Sequence, residues 1–231
     1  FAQPMTKGFL LGADEVGRDL VARLLYAGRI SLLVGFAAMF VTVIVGAFVG
    51  LTAGYYGGKV DTVLMRLTDA LLSFPTVFLL LVLAAFVGAS LLSITLIIGL
   101  TSWMELARIL RNQTLTLREQ DFVQAGRALG ATNSWLISRH LLPNTLGPIM
   151  VAATLNIANA VLAESYISYL GYGIQPPEAS WGNMLNNAQS YFTDAPWIAL
   201  FPGVLITLTV ASFNFIGDGL RDALDPRSKR G

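Results

Sequence analysis

The sequence predicts an all-α integral membrane protein, a helical bundle with five visible transmembrane helices. Of its 231 residues, 55% are hydrophobic and only 13% are charged, and the mean hydropathy is +0.64. Soluble domains carry about 25% charged residues, so this composition is typical of a chain that lies largely in lipid. Five apolar segments separated by polar ones are the predicted spans: about 30–54, 67–87, 91–106, 146–165 and 198–216.

Residues 1–29 are too polar to span the bilayer, and we expect an external N-terminal segment that ends in a short interfacial helix, 20–29. Four charged residues lie between positions 14 and 19. They indicate local ion pairs on a solvated surface rather than a metal or catalytic site. The chain starts at Phe1 and not at methionine, so we expect it to be part of a longer protein.

The first span carries a small residue at every fourth position: Thr42, Gly46, Gly50 and Gly54. Such a stripe lets a second helix approach closely, and we expect tight packing here. The alternative is that a membrane helix simply tolerates glycine.

A short polar loop, 55–66, is predicted to follow the first span, and it contains Gly-Gly-Lys. A phosphate-binding loop needs a further glycine where Ala53 stands and a hydroxyl residue where Val60 stands. No other stretch fits this pattern, so we expect neither ATP binding nor enzymatic activity from this chain.

Three residues mark features of the next two spans. Pro75 lies inside the second and predicts a kinked helix. Glu105 and Arg108, at the end of the third, are three positions apart and predict an ion pair on one helical face.

The fourth span carries Glu164 near its far end. An ionisable residue at that depth is either functional or level with the lipid headgroups, and both interpretations remain open. The loop that follows, 166–197, is rich in tyrosine and tryptophan and suits a membrane interface.

The central polar loop, 111–145, separates the third and fourth spans. Asp121 and Gln124 fit a capping box that begins a short helix, and Gly130 can adopt the positive φ that ends it. Thr132 or Asn133 can then cap a second helix. The pattern predicts a helical knob at the membrane surface; from spacing alone, an ordinary amphipathic connection is an equal alternative.

This loop resembles the EAA loop of ABC-transporter permease subunits, in which Glu-Ala-Ala is followed by a spaced glycine and a closing Ile-x-Leu-Pro. The matching positions are Gln124, Ala125, Gly126, Gly130, His140, Leu142 and Pro143. Gln124, Gly126 and His140 depart from the family residues, although the spacing is intact.

The resemblance implies that the short helix is a coupling helix seated in a groove of an ATP-binding subunit. The residues expected to form the contact are Phe122, Gln124, Ala125, Gly126, Arg127, Leu129 and Gly130. Ala125 and Gly126 are expected to keep the docking face small.

Three further stretches resemble the permeases of dipeptide, oligopeptide and nickel importers, most closely the C-type subunit. They read LGADEVGRDLVARLLYAGRISLLVG near the start, YLGYGIQPPEASWGNML in the outer loop and NFIGDGLRDALDPR in the tail. The resemblance implies a type I ABC importer permease with six spans, of which the first is missing from this sequence. Its location would be the cytoplasmic (inner) membrane of a bacterium or archaeon.

The same resemblance implies the partners. They are a second permease, with which the chain would form a heterodimeric path, two ATP-binding cassette subunits and an extracytoplasmic substrate-binding protein. ATP and Mg²⁺ would bind to partner subunits, and no cofactor, metal or catalytic residue is expected on this chain. The net charge of +1 gives no reason to expect nucleic acid.

The distribution of Lys and Arg predicts the topology. Between the spans these residues concentrate in 55–66, in the central loop and in the tail, whereas the loops around Gly88 and at 166–197 have none. The positive-inside rule therefore makes the central loop cytoplasmic. Residues 1–29 then lie outside despite their own basic residues.

The resemblance implies dipeptides or oligopeptides as the substrate, with a nickel complex or another small solute as the alternative. A secondary transporter or channel is the rival class, but it needs ionisable residues deep within the spans, where this sequence has few. A membrane scaffold without transport activity fits the composition but does not account for the motifs.

Overall fold

The expected helical bundle is confirmed. A computed structural model describes residues 1–6 and 8–224, and nearly all of its regular structure is helical. Four described helices are long and apolar enough to cross a membrane, and a sharply bent helix pair makes a fifth crossing if it is one span. The helices are α1 (Leu20–Tyr56), α2 (Gly58–Leu72), α3 (Thr76–Val87), α4 (Leu91–Leu117), α5 (Asp121–Ala128), α6 (Asn133–Leu136), α7 (Leu142–Asn144), α8 (Leu146–Tyr169), α9 (Trp181–Ala188) and α10 (Trp197–Leu224).

The first span is longer than predicted, because the expected interfacial helix and the span form one continuous helix, α1. Asp19 caps its start by accepting a hydrogen bond from the backbone N–H of Val21 at 3.0 Å. At 1.5 Å per residue its 37 residues measure about 55 Å. Since a hydrocarbon core is about 30 Å thick, α1 projects beyond it.

The second span differs most from its prediction. The expected polar loop 55–66 is largely helix α2, which Gly57, at φ +64°, separates from α1. Pro75 does not merely kink the span; it stands at the N-cap of α3, and α2 and α3 are bent by 85°. Proline lacks a backbone N–H and clashes with the preceding turn, so the helix stops and restarts here.

The glycine stripe of α1 packs against α4, which confirms the packing interpretation. A Cβ atom on Gly46 would lie 3.0 Å from the carbonyl oxygen of Trp103, and one on Gly50 would lie 2.6 Å from that of Ala107. Thr42 donates a hydrogen bond to the carbonyl of Gly99 at 3.1 Å. The two backbones are therefore closer than any larger side chain would allow.

One end of the bundle is covered by residues 1–6, 8–19 and 170–196, which we call the cap. The N-terminal segment folds back on itself through isolated bridges from Ala13 to Ala2 and Asp19. The ring of Phe1 meets that of Tyr191 with centroids 4.8 Å apart, so the two parts of the cap are in contact. The central loop lies at the opposite end of the same helices.

Helix α9 is buried within the cap. Trp181 donates its indole N–H to the carbonyl of Leu24 at 3.1 Å. A Cβ atom on Gly28 would lie 2.8 Å from the Trp181 ring, and one on Gly182 would lie 2.4 Å from the carbonyl oxygen of Ser165. Glycine thus lets α9 lie directly against α1 and α8.

Candidate coupling site

The start of α5 corrects the predicted capping box. Gln120, not Asp121, is the N-cap residue, and its carbonyl accepts hydrogen bonds from the backbone N–H groups of Val123 and Gln124. Asp121 is the first helical residue, where a carboxylate complements the helix dipole. The side chain of Gln124 instead donates to the carbonyl of Arg118 at 3.0 Å. Gln124 therefore ties α5 back to the end of α4.

The end of α5 is as predicted. Gly130 has φ +84°, and its N–H donates to the carbonyl of Arg127 at 2.9 Å. The N–H of Ala131 donates to the carbonyl of Gly126 at 3.0 Å. These two bonds form a Schellman motif, which needs a left-handed residue at this position. Thr132 caps α6 by accepting from the N–H of Trp135 at 3.3 Å, which settles the open choice between Thr132 and Asn133.

One face of α5 is buried against the rest of the loop. Val123 is fully buried in a cluster with Leu136, Leu141 and Tyr55. A Cβ atom on Gly126 would lie 2.8 Å from Cδ2 of Leu136. The small size of Gly126 therefore serves packing inside the loop, in contrast to the expectation that it keeps the docking face small.

The opposite face of α5 is exposed. Leu129 is 89% and Phe122 is 40% exposed, and Gln124 and Ala125 are exposed as well. Arg127 is exposed too, but its guanidinium carbon lies 4.9 Å from the centre of the Tyr55 ring. Phe122 and Leu129 are seven positions apart and so lie on the same side of the helix, where two exposed apolar side chains are typical of a protein contact.

The sequence reasoning missed Trp135, which is 47% exposed and extends this apolar face beyond α5. Its ring lies 4.9 Å from that of His140, and His140 lies 5.6 Å from Phe122. A π-helical turn, Ile137–Leu141, carries His140 toward both rings. The aromatic residues themselves were the only available signal.

The base of the loop is bonded to the membrane helices. Tyr55, near the end of α1, donates its hydroxyl to the side-chain oxygen of Asn133 at 2.8 Å. Arg118 donates to the carbonyl of Gly54 at 3.1 Å. The base of the knob is therefore bonded to the loop-side ends of α1 and α4.

The predicted ion pair between Glu105 and Arg108 is wrong. Arg108 instead pairs with Asp69 of α2, and Arg111 pairs with Asp61 of the same helix. The reason is that α2 is a helix that lies beside α4. The sequence pattern had assigned Asp61 to a loop and Asp69 to the start of the second span.

Glu164 is fully buried inside the protein, so the headgroup interpretation is wrong. Its carboxylate accepts hydrogen bonds from the hydroxyls of Ser31 at 2.9 Å and Ser168 at 2.7 Å. These hydroxyls in turn accept backbone N–H bonds from Trp181 and Ile174. The carboxylate thus joins α1, α8 and the cap through a bonded network.

Asp14 is the buried acid of the cap, with 1% exposure. It forms ion pairs with Arg18 at 2.7 Å and Arg23 at 2.6 Å, which confirms the predicted local pairing, whereas the expected solvated surface is wrong for the buried Asp14. Burial alone would raise the pKa of Asp14, but hydrogen bonds from the Arg18 backbone and from both guanidinium groups outweigh burial and hold the pKa below its usual value.

Comparisons with known proteins agree with this architecture. Residues 43–230 match the family model described as binding-protein-dependent transport system inner membrane component. The oligopeptide transport system permease protein OppC of Escherichia coli K12 is 45% identical over 228 residues, which cover 99% of this chain and 76% of that protein. The dipeptide transport system permease protein DppC of Alkalihalophilus pseudofirmus is 42% identical over 218 residues, covering 94% and 72%.

Solved structures share the fold at lower identity. An inward-facing structure of the MetNI methionine ABC transporter superposes with a TM-score of 0.69 at 21% identity, covering 92% of this chain and 99% of that one. A crystal structure of an amino acid ABC transporter with histidines gives 0.65 at 15% identity, covering 88% and 95%. Family match, sequence identity and helical architecture agree, and the chain belongs to the family of binding-protein-dependent transport system inner membrane components, the multi-pass permeases of ABC transporters.

Proposed function

We propose that this chain is a permease subunit of an ATP-driven importer of peptides, with the helix α5 as its mechanical link to an ATP-binding subunit. The observation that carries the proposal is the loop geometry: an exposed apolar helix face stands on a base that is bonded to α1 and α4. Peptides are the favoured substrate class because the relatives are named as oligopeptide and dipeptide permeases.

The residues of α5 have distinct roles in this proposal. Phe122 and Leu129 supply the apolar contact with the ATP-binding subunit, beside the exposed Gln124 and Ala125. Arg127 lies at the edge of the contact against Tyr55. The remaining two act from within: Gly126 permits close packing on Leu136, and Gly130 fixes the direction of the chain.

The chain would work within a larger assembly in a bacterial or archaeal cytoplasmic membrane. A second permease completes the path, two ATP-binding cassette subunits bind ATP and Mg²⁺, and a substrate-binding protein delivers peptide from outside. The segments rich in Lys and Arg support a cytoplasmic central loop. The cap then faces the substrate-binding protein.

Reconstitution of all subunits in proteoliposomes tests this function. ATP-dependent accumulation of a labelled short peptide is expected, and uptake that needs no ATP would contradict it. Leu129→Asp should abolish peptide-stimulated ATP hydrolysis while the permease pair still assembles, because a charge would be buried in the contact. Leu129→Ile is the matched control, since it keeps an apolar side chain of the same size in the contact.

A further inference from the structure

A polar cleft of about 750 Å³ opens between α4, α8 and α10 at the end of the bundle that carries the central loop. Its walls include Glu105 and Gln113 from α4, Asn156 and Asn159 from α8, and Arg221 from α10. The volume falls within the range of about 300–1,000 Å³ that is usual for small-ligand pockets.

The cleft is too polar to face lipid. Charged and amide side chains are costly against hydrocarbon and are found at water-filled cavities instead. Toward the cap the cleft is bounded by a buried apolar cluster, whose members Ala38, Ile98 and Ala163 lie one helical turn beyond the lining on α1, α4 and α8. Such a lining suits a water-accessible space that opens at the loop end.

Two charges of opposite sign stand on separate walls of this space. Glu105 is on α4 and Arg221 is on α10, and both are exposed. Neither side chain makes an ion pair or hydrogen bond within residues 1–6 and 8–224, in contrast to the nearby Arg108 and Arg111, which are both paired. Both are thus available to a ligand.

A third group in the cleft lacks a partner. The side-chain oxygen of Asn156 is buried and accepts no hydrogen bond from any residue that the structure describes. Buried acceptors are nearly always satisfied, and a backbone N–H of a ligand is a suitable donor.

We infer that this cleft binds a short peptide as a zwitterion, with the ammonium group at Glu105 and the terminal carboxylate at Arg221. Asn156 accepts a hydrogen bond from the peptide backbone, and Asn159 and Gln113 supply further amide contacts. This inference rests on the proposed function and adds a site for the substrate within the membrane.

The same lining argues against a bare divalent cation. Such ions require several carboxylate, carbonyl or imidazole ligands at once. Glu105 is the one carboxylate in the lining, and no histidine is present there among the described residues. The charge pattern fits a molecule with one positive and one negative end.

Protection of a single introduced thiol tests the inference. The chain contains no cysteine, so Ser102→Cys places a unique thiol in the cleft wall. The complete transporter, without its substrate-binding protein, is treated with a thiol reagent, and labelling is followed on this chain. Tri-alanine, N-acetyl-tri-alanine and tri-alanine amide are compared as protecting ligands.

Free tri-alanine should protect at a concentration about tenfold lower than either blocked peptide, because each blocked peptide loses one charged contact. Glu105→Gln should abolish the difference between free and N-acetylated peptide only. Arg221→Gln should abolish the difference between free and amidated peptide only. Glu178→Gln, an exposed acid of the cap, is the control and should change neither.

Absence of protection by tri-alanine, or equal protection by all three peptides, would overturn the inference. The inference would also be overturned if Glu105→Gln or Arg221→Gln changed the protection by both blocked peptides alike. Normal ATP-driven peptide uptake together with any of these results would leave the proposed function intact, whereas failure of uptake by the wild-type complex would count against the proposed function itself.

Discussion

Gly130 gives the most direct test of the loop geometry, because its backbone conformation alone sets the cost of a side chain. Its φ is +84°, and a Cβ atom there would meet no heavy atom within 4 Å. Gly130→Val therefore causes no steric clash, and its cost is the free energy of about 1–2 kcal/mol for holding valine in the left-handed conformation. Gly130→Asn should cost less, since asparagine tolerates this conformation.

The penalty acts on the two hydrogen bonds that end α5. If valine leaves the left-handed region, the N–H groups of residues 130 and 131 lose their acceptors on Arg127 and Gly126. We expect amide exchange at these two positions to accelerate about 5- to 30-fold. A loss of about 1–2 kcal/mol raises the equilibrium constant for local opening by that factor. Exchange in the middle of α1 and α4 should not change.

The functional consequence follows from the changed direction of the chain. Gly130→Val should assemble with the second permease but lose most peptide-stimulated ATP hydrolysis, whereas Gly130→Asn should retain most of it. Equal exchange rates in the two variants would refute the left-handed assignment. Accelerated exchange with wild-type transport would refute the coupling role and leave the geometry intact.

Four further predictions follow from the same structure. Gln124→Glu, which restores the family residue, should retain transport, and a loss in the uptake assay would show that the amide bond to Arg118 is essential. Glu164→Ala should destabilise the cap by about 1–3 kcal/mol, because the hydroxyls of Ser31 and Ser168 lose their acceptor. Thermal unfolding in detergent measures this loss of stability, which should be smaller for Glu164→Gln. Folding lowers the pKa of Asp14, so Asp14 stabilises the cap at pH values above its unfolded pKa of about 4, and this contribution is lost as pH falls through the folded pKa. Proteolysis of residues 1–19 should therefore increase in acid, and Asp14→Asn should remove that pH dependence. Single cysteines at the exposed positions Glu178 and Ser134 should label oppositely in intact cells with an impermeant reagent, and labelling of position 134 alone would reverse the topology.

The sequence by itself determined which segments are apolar enough to cross a membrane and where the central loop turns, although not that the second span is two helices. Composition and apolar length are properties of a segment alone, so they predict membrane helices without knowledge of neighbours. The same holds for Gly130, because the need for positive φ at a helix end is local. The stripe at Gly46 and Gly50 likewise predicted close packing, although not the partner helix.

The tertiary structure decided what the segments do to one another. The pairing of Arg108 with Asp69, the burial of Glu164 and the contact of Gly126 with Leu136 each join residues far apart in the chain or on different helices. Local pattern misassigned Arg108 and Gly126 and left Glu164 open, because a side chain's partner depends on which helix lies beside it. The cleft between Glu105 and Arg221 is the clearest case, since two charges more than a hundred residues apart acquire a shared role only when α4 and α10 enclose the same space.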